Sequence, residues 1–181
     1  MKSKLIILGC GSSVGVPRID GVWGNCKKKN LKNYRTRCSA LIIKGSNSIL
    51  IDTSPDIRNQ LLDNNIKNIT SVIYSHEHAD QTNGLFELRP FFWKNKKKIN
   101  VYGNRNTIHD LKRRYDYLFK KIDTYPPIAK SNIIKSKFSL GTSSEKVTFQ
   151  TFNAQHGPTR SVVYVFENTA YISDSNDLSI V

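Results

Sequence analysis

What most constrains the fold of this chain is a succession of apolar runs only four or five residues long, closed by glycine, asparagine or aspartate. Leu5 to Leu8 stops at Gly9, Ser39 to Ile43 and Ser48 to Ile51 flank Lys44-Gly45-Ser46-Asn47, and Ser71 to Tyr74 and Ile99 to Tyr102 follow. Such runs read as strands, the first a buried one and the second and third joined in a hairpin. Helical spacing lies between them. Ser54 can cap a helix with Pro55 at its first position, Ile57, Leu61 and Leu62 facing inward before Asn64-Asn65 stops it. Leu85, Phe86, Leu88, Phe91 and Phe92 can pack a short segment, and Asn104 to about Lys120 carries Ile108, Leu111, Tyr115 and Leu118 on one helical face. His109 lies beside that stripe as an ordinary helix residue. Past Tyr125-Pro126-Pro127, strands resume over Lys146 to Phe152, Ser161 to Phe166 and Ala170 to Ser173, the last two joined by a turn at Glu167-Asn168-Thr169. Strands, then helices, then strands again indicate a layered α/β architecture, and 181 residues suit one domain.

Lysine and arginine total 28 against 14 acidic residues, a formal charge of +14, which favours anionic partners such as phosphate esters or nucleic acid. The runs Lys27 to Lys29, Lys94 to Lys98 and Lys112 to Arg114 serve equally well as solvated faces. Three cysteines, Cys10, Cys26 and Cys38, fit neither a disulfide framework nor a four-cysteine zinc site, so a reducing cytoplasm is expected. Leu5 to Leu8 before Cys10 imitates a lipoprotein signal but falls short of the roughly 7 to 15 apolar residues one needs. No stretch approaches the roughly 20 apolar residues of a membrane helix, so a membrane partner is not expected. The glycine-rich run Gly9 to Gly15 forces a tight loop; no P-loop lysine follows it, and Pro17 argues against a dinucleotide-binding helix.

Chemistry concentrates in Ser75-His76-Glu77-His78-Ala79-Asp80-Gln81. His76, His78 and Asp80 alternate directly after an apolar run, so a strand running into a loop would aim two imidazoles and a carboxylate at one centre. Those are ligands that borderline divalent metals accept, and a site with open positions can activate water. Alone, the two histidines would serve as well on a solvated surface. His156, between a strand and the loop-shaping pair Gly157-Pro158, is placed to be a third imidazole ligand. Asp174 closes the strand from Ala170 in the same manner, although a strand-end aspartate is commonly a turn former.

Taken in order, Gly9-x-Gly11-Ser12-Ser13-x-Gly15-Val16-Pro17, Ile51-Asp52-Thr53-Ser54-Pro55-Asp56, His76-x-His78-x-Asp80, His156 and Asp174 make the chain resemble the metallo-β-lactamase superfamily of hydrolases. Within it the resemblance is to the branch of phosphoribosyl cyclic phosphate phosphodiesterases, with ribonuclease Z more distant. It implies a four-layered αββα sandwich with metals at the edge where two sheets meet. Carried onto this chain, His76, His78 and His156 bind a first metal, Asp80 binds a second, and Asp174 bridges both. Asp52 holds the ligand loop through hydrogen bonds. The implied cofactor is zinc or manganese, one or two ions. The implied reaction is hydrolysis of a small cyclic or linear phosphodiester by metal-activated hydroxide, with Asp80 also orienting that nucleophile. A ribonuclease Z-like RNA-processing role and a catalytically impaired metal-binding domain are the alternatives.

Three departures matter. Gln81 stands where the family motif has a histidine for the second metal, and an amide oxygen is a poorer zinc ligand than imidazole. No histidine follows His156, whereas the family has a last metal histidine beyond the position of Asp174. Cys26 has no neighbouring cysteines with which to hold a structural zinc, which leaves Arg18 to Arg37 as a basic, irregular loop. The ending Asp177 to Val181 reads as the opening of a helix, so a truncated second half is expected, with an exposed apolar face that implies either low solubility or a compensating homodimer.

Overall fold

In the computed structural model, which describes residues 2–177, the first half forms a six-stranded sheet in the order β1 to β6. Its strands are β1 (Lys4–Gly9), β2 (Ser39–Lys44), β3 (Asn47–Ile51), β4 (Ser71–Ile73), β5 (Ile99–Gly103) and β6 (Ala129–Ile133). β1, β2 and β3 pair antiparallel, and β3 to β6 pair parallel. Parallel neighbours need crossovers, and here these are helical. α1 (Ile57–Asp63) links β3 to β4, while α2 (Ala79–Thr82) and α3 (Arg89–Asn95) link β4 to β5. α4 (Arg105–Arg114) and α5 (Asp116–Phe119) lead into β6. A second, antiparallel sheet follows, a meander of β7 (Lys137–Leu140), β8 (Val147–His156), β9 (Thr159–Phe166) and β10 (Thr169–Tyr171).

Two-residue alternation in β3 sends Leu50 to one face and Ile49 and Ile51 to the other, and this divides the core in two. Leu41, Leu50, Val72 and Val101 pack against Ile57, Leu61, Leu85, Ile108 and Leu111 of the helical layer. Ala40, Ile42, Ile49, Ile51 and Ile73 pack against Val147, Phe149, Val162, Tyr164 and Phe166 of the second sheet. The order is therefore helix, sheet, sheet. Among the described residues no helix covers the outer face of the second sheet, where Phe152, Ala154, Val163, Val165, Ala170 and Ile172 line a shallow apolar cavity of about 160 Å³. Among the described residues these are three layers of the αββα sandwich. The helix anticipated from Asp177 lies outside the described residues apart from Asp177 itself, which bridges to Gln155.

Several local expectations are corrected. β1 is an edge strand with Ile7 half exposed, not a buried one, because it pairs only with β2. α1 begins later than Pro55: Asp56 holds the cap position, while the Ser54 hydroxyl accepts the Asp56 N–H at 3.2 Å. Its inner face is Ile57, Gln60 and Leu61, and Leu62 is exposed. Gln60 is buried because its amide donates to Thr36 Oγ1 and to the Arg37 carbonyl, pinning the segment that runs beside Gly9 and Gly11. A Cβ on Gly9 would lie 2.1 Å from that carbonyl, so the glycine there permits close packing of two chains. The helix expected over 104 to 120 breaks at Tyr115, with φ −128°, into α4 and α5. β6 and β7, each at a sheet edge, lack an apolar run. β8 continues to His156, so this histidine ends a strand instead of following one. The segment 18–37 is irregular as expected, with one short 3₁₀ turn at Leu31–Asn33.

Candidate metal centre

Beyond the carboxyl end of β4 the chain enters the histidine motif, and every second residue is tethered. Asp52, just past β3, has φ +60°, a left-handed conformation that aspartate tolerates better than most residues. Its carboxylate accepts the Ser75 N–H at 2.7 Å and the Ser75 hydroxyl at 2.8 Å. Complete burial pushes this carboxyl up to about 8, against the two Ser75 hydrogen bonds that pull it down. Ser75 Oγ also lies 3.0 Å from His76 Nδ1. With Asp52 ionised, Ser75 gives it the hydroxyl proton and the imidazole supplies the proton of the Ser75 contact, the tautomer with Nδ1–H that leaves Nε2 bare. The second sheet grips the same loop, for Val162 N–H donates to the Ser75 carbonyl at 2.8 Å and the Tyr164 hydroxyl to the Tyr74 carbonyl at 2.7 Å.

Glu77, between the two histidines, points the other way. Its carboxylate accepts the Thr107 hydroxyl of α4 at 3.1 Å and the Thr159 hydroxyl of β9 at 2.5 Å, bracing the loop from both layers. The break after α4 contributes as well: Arg114 donates to the Glu77 carbonyl at 2.6 Å and the Tyr115 hydroxyl to Asn83 at 2.7 Å. Strand alternation holds for His76 and His78 only. His78 caps α2, and Asp80 and Gln81 ride on that single helical turn.

The result is a triad of imidazoles. His76, His78 and His156 offer ring nitrogens all within 4.8 Å of one another, with ring centroids 4.5 to 5.0 Å apart and planes inclined at 65° to 74°. His76 is fully buried, and its Nε2 has no hydrogen-bond partner among the described residues. Burial first, and the neighbouring His78 second, hold its pKa down to about 4, so the ring is neutral at pH 7. Asp174 Oδ2 lies 3.7 Å from this bare nitrogen. A neutral imidazole lone pair facing a carboxylate oxygen is acceptor against acceptor, with no donor between them. A buried acceptor left so costs about 1–3 kcal/mol, and a divalent cation among the three nitrogens removes that cost. The donor set fits zinc or manganese by ligand type, with His76, His78 and His156 to hold the ion and Asp174 at its edge.

A family model for the beta-lactamase superfamily domain matches residues 47–179, a span that includes Asp52, the histidine motif, His156 and Asp174. The chain belongs to the beta-lactamase superfamily. A curated octanoyltransferase of Porphyromonas gingivalis is 30% identical over 177 residues, 97% of this chain and 35% of that protein, so the chain spans about a third of that relative's length. Among solved structures, a diphosphatase of the PhnP family superposes with a TM-score of 0.81 at 28% identity, covering 98% of this chain and 68% of that one. Zn²⁺-bound PqqB from Methylobacterium extorquens superposes with a TM-score of 0.69 at 17% identity over 94% and 64% of the two chains, a likeness of fold alone.

Within this metallo-β-lactamase fold, the residues singled out from sequence meet in two groups. His76, His78 and His156 converge as one cluster. Asp80 and Asp174 meet through Gln81, whose Nε2 donates to Asp80 Oδ2 at 3.1 Å and to Asp174 Oδ2 at 3.0 Å. Asp52 stands behind the loop, its carboxylate hydrogen-bonded to Ser75. His109 is exposed on α4 and takes no part. Sequence reasoning missed Ser75, Glu77 and Arg114. Glu77 carried a readable signal, since a residue alternating with two inward histidines faces outward and a carboxylate there needs donors from a neighbouring element. Ser75 and Arg114 carried none, because their partners lie 23 and 37 residues away. The cysteines Cys10, Cys26 and Cys38 are free and form no cluster among the described residues. Among the described residues no helix is long and apolar enough to cross a membrane.

Proposed function

We propose that this chain is a metal-dependent hydrolase acting on a small phosphodiester. One observation carries the reading: the cluster of three imidazoles opens through His78 onto a cavity of about 590 Å³ whose wall includes Arg105 at the start of α4 and Arg160 on β9. Neither guanidinium has an ion-pair partner among the described residues, whereas the nearby Glu77 carboxylate is taken up by two threonine hydroxyls. Two uncommitted guanidiniums beside a metal site match the planar, forked geometry of phosphoryl oxygens. The formal charge of +14 favours arrival of an anion over long range.

A divalent ion held by the three imidazoles would lower the pKa of water toward neutrality and offset charge on the phosphoryl group. The protein's own residues supply the rest. Ser75 and Asp52 hold His76 in its ligating tautomer, Arg105 and Arg160 orient the diester, and Asp80, anchored on α2, accepts the proton of the attacking water. The family's hydrolytic character and the 28% identity to a diphosphatase of the PhnP family support this reading. The test is hydrolysis of a chromogenic phosphodiester by protein loaded with zinc or manganese. Turnover that collapses in His76→Ala, and whose KM rises in Arg105→Ala and Arg160→Ala, supports the proposal; turnover untouched by His76→Ala ends it. An RNA-processing role would instead show RNA binding that weakens steeply with salt, in proportion to the number of phosphates neutralised.

A further inference from the structure

We infer that this chain holds one metal ion and not two, because the side-chain amide of Gln81 has taken over the place between Asp80 and Asp174 that a second ion would need. This rests on the metal-centre reading above and specifies its stoichiometry. Gln81 is 1% exposed, and its Nε2 donates one hydrogen to each carboxylate, at 3.1 and 3.0 Å. Those are the two acidic groups that a second cation would use, and the amide satisfies one oxygen of each with a proton already in place. An amide nitrogen has no free lone pair, so in this orientation it can donate but cannot ligate.

The orientation itself is determined by chemistry. Turning the amide over would bring a carbonyl oxygen against two carboxylate oxygens, three acceptors with no donor. The observed arrangement avoids this even though it leaves Gln81 Oε1 buried without a partner among the described residues. The backbone of Gln81 is fixed on both sides, since its N–H donates to the His78 carbonyl at 3.1 Å and its carbonyl accepts the Thr53 N–H at 2.7 Å. Nitrogen ligands are exhausted as well. Of the four histidines in the chain, three form the first cluster and His109 is exposed on α4. A second ion would have two carboxylates, shared with a competing amide, and no imidazole.

Metal-free protein is titrated with Mn²⁺ and, separately, with Zn²⁺, and bound ions are counted by native mass spectrometry. Manganese is the stringent probe, because harder oxygen ligands suit it. The expected result is one ion per chain with either metal, rising to two in Gln81→His, which exchanges the bridging amide for an imidazole. The side-chain NH₂ signals of Gln81 in a ¹⁵N spectrum should also stay slow to exchange after loading. Two ions in the unaltered protein overturn the inference and leave the hydrolase reading standing. A Gln81→His variant that folds but still holds one ion overturns it too, since Gln81 is then not what excludes the second. No ion at all removes the metal centre, and with it both readings.

Discussion

The two halves of the site handle the same physical problem in opposite ways. Around His76 a buried imidazole nitrogen without a hydrogen-bond partner among the described residues faces a carboxylate oxygen at 3.7 Å, with the rings of His78 and His156 beside it. Around Gln81 two carboxylates face each other as well, yet a side-chain amide supplies a hydrogen to each. The first arrangement calls for a cation and the second has a built-in substitute. Clustered carboxylates therefore do not by themselves announce a metal; what counts is whether the protein already provides donors for them. Asp56 makes the same point further off, where one arginine meets it through the backbone N–H, Nε and Nη2 at 2.9, 2.8 and 2.5 Å.

The sharpest way to break this comparison is to remove a ligand from the imidazole half. His78→Ala should abolish tight metal binding. Metal at a hundred times its dissociation constant stabilises a folded protein by about 2.7 kcal/mol, and a thermal melt should show that gain in the unaltered protein and none in the variant. Next in size, Ser75→Ala removes the hydroxyl that holds His76 in its ligating tautomer. Loss of such a supporting group costs about 10–100-fold in metal affinity, measurable by competition with a chromophoric chelator. An unchanged affinity would mean that packing alone orients the ring.

The donor-supplied pair offers the counter-test. The Arg37 guanidinium and backbone N–H hold the Asp56 carboxyl below its ordinary value of 3.8. A carboxyl whose pKa is lower folded than unfolded adds stability that is present above the unfolded value and lost as pH falls through the folded one. Asp56→Asn should thus cost about 1–2 kcal/mol at pH 7. The difference from the unaltered protein should begin to shrink as pH falls past the ordinary value of 3.8 and be gone only below the lower folded value, and chelator should leave it unchanged. A metal dependence there would contradict the distinction. Smallest of all, Leu62→Ser should change stability by less than about 0.5 kcal/mol, as an exposed position does, whereas Leu61→Ala, on the buried face of α1, should cost about 2–5 kcal/mol. Chemical denaturation of both variants compares them directly.

Much of the first sheet was readable because its central strands are buried on both faces and so appear as unbroken apolar runs. β6 and β7 were not readable, since Ala129–Ile133 and Lys137–Leu140 mix polar with apolar residues. Leu62 misled because it fits a helical stripe as well as Gln60 does. The neighbouring Ser54, Thr36 and Arg37 make a buried glutamine favourable at position 60. The break at Tyr115 was equally hidden, for the apolar spacing runs straight through it from Ile108 to Leu118.

By itself, the sequence determined the ligand types. Two alternating histidines after a strand, a later histidine and a later aspartate name a chemistry before any fold is known, and the departure at Gln81 is visible in a single letter. Tertiary structure alone decided what those residues do to one another. Whether a glutamine ligates, idles or bridges two carboxylates depends on which way its amide faces. That direction is set by groups 93 residues apart, which meet only when the second sheet closes over the first. The same closure brings Val162 to the Ser75 carbonyl and His156 to His76, turning a motif that could equally sit on a solvated surface into three converging imidazoles around one buried nitrogen without a partner among the described residues.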